Sequence, residues 1–221
     1  MGNSATHTQF RGEVTEDEFD TVSDGIFDLL ACFFIDYFDK YKFGTRKKIM
    51  SSFSMLPPII RYKVLISLYE KDSGNVAVID KLVLAMMKAC NPETASQWVE
   101  NNRAHLSKIC PYSDVEIDDL SKIMPELGTV LASLNSNMYL VCKDKIEKVG
   151  AIIRKNGLVY SDFESALPTY RNFGHIMGET NEIKEFNDIM EFMYMGRKER
   201  SSLCSNVNSS TTVLNSFQTA E

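Results

Sequence analysis

A chain of 221 residues that is 44% hydrophobic and 24% charged is too apolar to be an intrinsically disordered segment, and it is long enough to bury a core without disulfide or metal staples. Its net charge of −6, from 24 Lys plus Arg against 30 Asp plus Glu, works against general attraction to nucleic acid or anionic lipid. Nucleic acid is therefore not an expected partner; the basic, aromatic run at residues 41–48 is the one candidate, and it sits in an acidic chain.

The chain opens on Met1-Gly2-Asn3-Ser4-Ala5-Thr6. Gly at position 2 with Thr at position 6 and small or polar residues between them is the N-myristoylation pattern, with Gly2 as acyl acceptor and Thr6 as a recognition residue. Residues 1–14 read as a flexible polar tail without an apolar leader region. Thr15 to Glu18 then spells a capping box. Behind it, Phe19, Val22, Ile26, Leu29, Phe33 and Tyr37 recur at alternating steps of three and four, and a second stripe runs through Phe27, Leu30, Phe34, Phe38 and Tyr41. Two adjoining stripes predict a helix with a wide apolar face running through the centre of the fold. Its run at 26–38 contains Asp28 and Asp36 and is far short of the ~20 residues a membrane span needs.

A short basic helix is expected after Phe43-Gly44-Thr45, ended by Pro57-Pro58. Pro58 suits the first turn of the next helix. Residues 73–75 make a turn into an apolar helix at 76–90. Asn91 and Pro92 are the cap and first position of a helix expected to run towards Pro111. Ser113 to Glu116 spells a second capping box, and Pro125 begins a further helix. A long amphipathic helix at 138–156 ends at Gly157. Ser161 to Glu164 reads as a third box, opening a helix interrupted by Pro168, Gly174 and Gly178. The last helix, 181–195, is closed by Gly196. Residues 197–221, rich in Ser, Thr and Asn, read as a disordered tail. The expected fold class is all-α: a single compact bundle-like domain over 15–196, with about eight or nine helices and a flexible tail at each end.

The chemistry is sparse. Five cysteines lack metal or disulfide spacing and read as reduced core thiols, so no metal site is expected. The carboxylates of the last helix fall on solvated faces, and no nucleophile elbow, phosphate loop, dinucleotide fingerprint or EF-hand appears. No active site is expected.

The leading expectation is a non-enzymatic, N-myristoylated cytosolic helical protein that binds or scaffolds an unidentified protein and associates reversibly with a membrane surface. One acyl chain anchors only marginally. Arg46, Lys47 and Lys48, or Arg197, Lys198 and Arg200, are the candidate basic second signals, and the Met-rich, aromatic run at 189–195 is a candidate partner surface. The expected location is cytoplasmic, peripheral at a membrane. Two other readings stand beside it. One is a self-assembling coat or matrix-type protein, which should form large particles. The other is a globin-like haem protein with His105 as axial ligand. In the leading reading no cofactor is expected beyond myristate.

Overall fold

Thr15 starts the first helix. Its hydroxyl accepts from the Glu18 backbone N–H, and the Glu18 carboxylate accepts from the Thr15 N–H. Two otherwise orphan donors are thereby satisfied reciprocally. The computed structural model describes residues 15–112, 122, 137–158 and 160–198. Among them are nine helices and no strand: α1 Glu16–Tyr41, α2 Lys47–Phe53, α3 Pro58–Lys71, α4 Val76–Ala89, α5 Pro92–Asn101, α6 Arg103–Leu106, α7 Met138–Asn156, α8 Phe163–Phe173 and α9 Asn181–Tyr194. The all-α expectation holds. The expected helices at 113–134, with their capping box, lie outside the described residues apart from Lys122, as do the tail at 1–14 and all of the expected tail at 197–221 beyond Lys198.

Boundaries follow local chemistry. Asn75, Asn91, Asn137 and Thr180 each accept a backbone N–H at the start of α4, α5, α7 and α9. Pro58 and Pro92 occupy first turns, where a missing N–H costs nothing. Gly157 and Gly174 end α7 and α8 in the left-handed region, at φ 73° and 70°.

Three local expectations need correction. The box before α8 sits one residue later: Asp162 caps and Ser165 returns the bond, while the Ser161 hydroxyl only donates to Asp162. A carboxylate on the exposed N–H groups complements the helix dipole, which a serine hydroxyl does not. Pro168 does not interrupt α8, because Phe163, Ala166, Leu167 and Tyr170 are buried around it and hold the helix together. The helix from Pro92 breaks at Asn102 instead of running on. There the Asn102 side chain donates to the Trp98 carbonyl and accepts from the Tyr69 hydroxyl, offering the backbone an alternative to the helical ladder.

The core is built on α3 and α4, which make the most extensive helix contact; α1 lies along α3, while α5 and α7 lie against α4. Where α1, α2 and α9 meet, Phe34, Phe38, Phe43, Phe53 and Phe186 pack mostly edge to face at centroid separations of 4.9–6.1 Å, the geometry aromatic quadrupoles favour.

The first helix is the main departure from expectation. It does not run through the centre. Ala31, Phe34, Tyr37 and Phe38, all in its second half, are buried, while most of residues 15–29 are exposed. This first half is held to α3 on one side, where Lys63 bridges Asp24 and Asp28 at 2.7 and 2.6 Å.

Candidate docking surface

The uncovered part of α1 is apolar. Phe19 is 65% exposed, Ile26 52% and Leu29 62%, with Val22 and Phe33 less so. These five residues are the first predicted stripe without its sixth member, Tyr37, which is buried; the sequence placed them on one helix face correctly, but only the Tyr37 end of that face enters the core. The reason lies in α9. It runs antiparallel to α1: Phe33 meets Phe192 at 5.5 Å, Tyr37 donates to the Glu182 carbonyl, and Lys40 and Tyr41 both reach Glu185. By this pairing α9, ending at Tyr194, stops level with about residue 31 of α1. Beyond that point the same α1 face runs on for three turns with no helix among the described residues against it.

Phe192 and Met195, 48% and 66% exposed, extend the apolar surface on α9. Between α1 and α9 lies an open groove of about 530 Å³, lined by Phe33, Ile189 and Phe192 with Lys40, Lys184 and Asp188 at its rim. Contiguous exposed apolar surface of this kind is a candidate interaction surface. The candidate partner surface at 189–195 is only partly available, because Met190, Met193 and Tyr194 are buried in the core. Tyr194 stacks on Tyr170 at 4.2 Å and donates to the Met55 carbonyl.

The basic candidates are not brought together. Arg46 donates to Glu182 at the start of α9. Arg197, just past the end of α9, lies 3.6 Å from the centre of the Phe163 ring and donates to the Met193 carbonyl. The two groups thus sit at opposite ends of α9, ~20 Å apart, and each has an arginine engaged within the fold. Lys47, Lys48 and Lys198 are exposed. Arg200, Gly2 and Thr6 lie outside the described residues.

His105 is half-buried on α6 with Nε2 2.9 Å from the Ser73 carbonyl. A carbonyl only accepts, so Nε2 carries the proton. This bond ties α6 to the turn between α3 and α4. His175, exposed, pairs with Glu191. The thiols differ from expectation: Cys32, Cys90 and Cys110 are exposed, and Cys142 alone of the described four is buried, its pKa pushed up to about 12 by desolvation. Cys90 and Cys110 fall in the turns after α4 and α6, where residues leave the core, and Cys32 lies on the outer side of α1.

Sequence reasoning missed one cationic cluster. Arg61 is buried, donates through Nε to the Leu56 carbonyl, and has its pKa lowered to about 10 by burial. Lys88 nearby is lowered to about 8, first by desolvation and then by Arg61 and Lys81. Only the 3-4 apolar period of α3 and α4, read as putting position 61 inside, could have flagged it. Among the described residues, no group of three or more His, Cys, Asp and Glu gathers as a metal site, and no helix is long and apolar enough to cross a membrane. No protein family, curated protein or solved structure matches the chain.

Proposed function

We propose that this chain is a non-enzymatic helical binding protein, N-myristoylated at Gly2, that associates reversibly with membranes from the cytoplasmic side and docks a protein on α1. One observation carries the reading: a ridge from Phe19 to Phe33 that faces solvent, on the helix nearest the acylation motif. Beside the ridge Lys63 pairs with Asp24 and Asp28, and Lys40 with Glu185, bonds that hold helices together, which supports binding over catalysis. Glu16, Asp17 and Glu18 crowd the first turn of α1, so this end repels anionic lipid, and attachment rests on the acyl chain rather than on surface charge.

Intact-mass spectrometry of protein expressed in a eukaryotic cell should show loss of Met1 and a gain of about 210 Da, the mass of a myristoyl group. Gly2→Ala should move the protein from the membrane to the soluble fraction without changing its Tm. An unmodified or acetylated N-terminus, or unchanged fractionation, overturns the reading.

A further inference from the structure

We infer that the free face of α1 is the seam of an antiparallel two-fold dimer, its occupant being α1 of a second copy of this chain. The inference builds on the proposed docking role and names its partner. Phe19, Val22, Ile26, Leu29 and Phe33 are spaced 3-4-3-4, the a and d positions of a heptad repeat, which fit against another helix with the same spacing. The seat already holds a helix at one end: α9 covers this face at residues 33–41, antiparallel to α1, and stops at Tyr194. A second α1 continues where α9 ends, its Thr15 near Met195 and Phe33.

One register fits. Phe19 packs against Leu29 of the second copy and Val22 against its Ile26, with the reciprocal pairs across an axis at residue 24. The flanking positions then bring Ser23 opposite Ser23 and Gly25 opposite Gly25, small residues that let the helices approach. Glu18 faces Cys32, and Glu16 faces Leu30, so no two carboxylates oppose one another. Asp24 and Asp28 point away, towards Lys63. A parallel pair would instead set the two copies of α9 against each other. The exposed ridge together with Phe192 and Met195 amounts to roughly 700 Å² at ordinary side-chain areas, close to the ~800 Å² per partner of a specific interface.

Other segments of this chain match the ridge less well. Residues 1–14 contain no run of apolar residues at 3-4 spacing; in 199–221 the run Leu203, Val207, Leu214 and Phe217 is interrupted at Ser210; and in 113–136 Ile117, Leu120, Met124, Leu127, Leu131 and Leu134 keep the spacing, but Pro125 falls inside the run and bars one continuous helix across it. The dimer also has a consequence for anchoring. It places the two Thr15 residues ~27 Å apart, and the thirteen steps from Gly2 to Thr15 reach up to ~45 Å, so both acyl chains reach one membrane. Two chains supply the stable anchoring that one does not.

The test is sedimentation equilibrium of the full-length, unacylated protein, which separates this inference from the acylation reading. The expected mass is about twice 25.1 kDa. Ile26→Glu, and independently Leu29→Glu, should raise the dimer Kd more than tenfold and leave the far-UV circular dichroism of the monomer unchanged. With Cys32, Cys90, Cys110 and Cys204 replaced by Ser, Ser23→Cys should oxidise to a covalent dimer and Phe19→Cys should not. A monomer at tens of micromolar, large open polymers, a mass insensitive to both ridge variants, or efficient Phe19→Cys cross-linking overturns it. Gly2→Ala should dimerise like wild type, so failure of either proposal leaves the other standing.

Discussion

Lys88 and Cys142 show what burial does to single ionisable groups in this fold. The Lys88 ammonium is desolvated and faces Arg61 and Lys81, which puts its folded pKa at about 8, below its ordinary value. A base whose pKa falls on folding opposes folding while charged. Its cost is therefore constant below about pH 8 and fades as pH rises towards the unfolded lysine value, because there the unfolded chain still holds a proton that the folded chain has released. Lys88→Met removes the charge and keeps the apolar stem. It should raise Tm by several degrees at pH 7, and the gain over wild type should shrink as pH climbs from 8 to 10.5. A gain that does not change with pH would show that packing, not charge, is responsible. Cys142 is the opposite case. Its thiol, held at about 12, is almost wholly protonated at neutral pH, and the thiolate is the reactive form. In the native protein, iodoacetamide should therefore label Cys32, Cys90 and Cys110 but reach Cys142 only after unfolding; rapid native labelling of Cys142 would contradict its burial.

Among the elements, the joint between α1 and α2 depends on one glycine. Gly44 has φ of 90°, and a Cβ there would lie 2.9 Å from the Cβ of Ala77 at the start of α4. Both the left-handed backbone and the close approach require glycine. Gly44→Ala should cost about 1–3 kcal/mol, read as a lower denaturant midpoint at constant m-value. The conserved m-value matters, because a changed one would mean that α2 had come away from the body. The capping box, the prolines in first turns and the glycine stops were legible in the sequence, because each is satisfied within four residues of itself. The break at Asn102 was not, because it depends on Tyr69, thirty-three residues away. The box at α8 was misplaced by one residue because Ser161 and Asp162 are both good caps and only geometry selects between them.

Taken as a whole, the molecule is a packed helical body with one long, half-uncovered helix. In the sequence, the proposed acylation motif is followed by the acidic first turn of α1, and the apolar ridge lies along the same helix. If the proposed acylation and the proposed two-fold seam both hold, pairing lets the chain anchor more firmly as its concentration rises. The candidate basic patches, by contrast, are held apart by the full length of α9, which no reading of local sequence revealed.

The sequence by itself determined the helical class, most helix starts and stops, and which residues share the ridge of α1. Periodicity and capping are properties of neighbouring residues, so they survive without knowledge of the rest of the chain. It could not determine which of the two stripes on α1 enters the core. Both are apolar at helical spacing, and burial depends on where α3 and α9 lie and where α9 stops. The tertiary structure decided that: α2 and α9 close over Phe34, Tyr37 and Phe38 at the C-terminal end of α1, α9 goes no further, and Phe19, Val22, Ile26, Leu29 and Phe33 are left facing out. A hydrophobic stripe specifies that something should cover it, and only the arrangement of the other helices shows whether the same chain does.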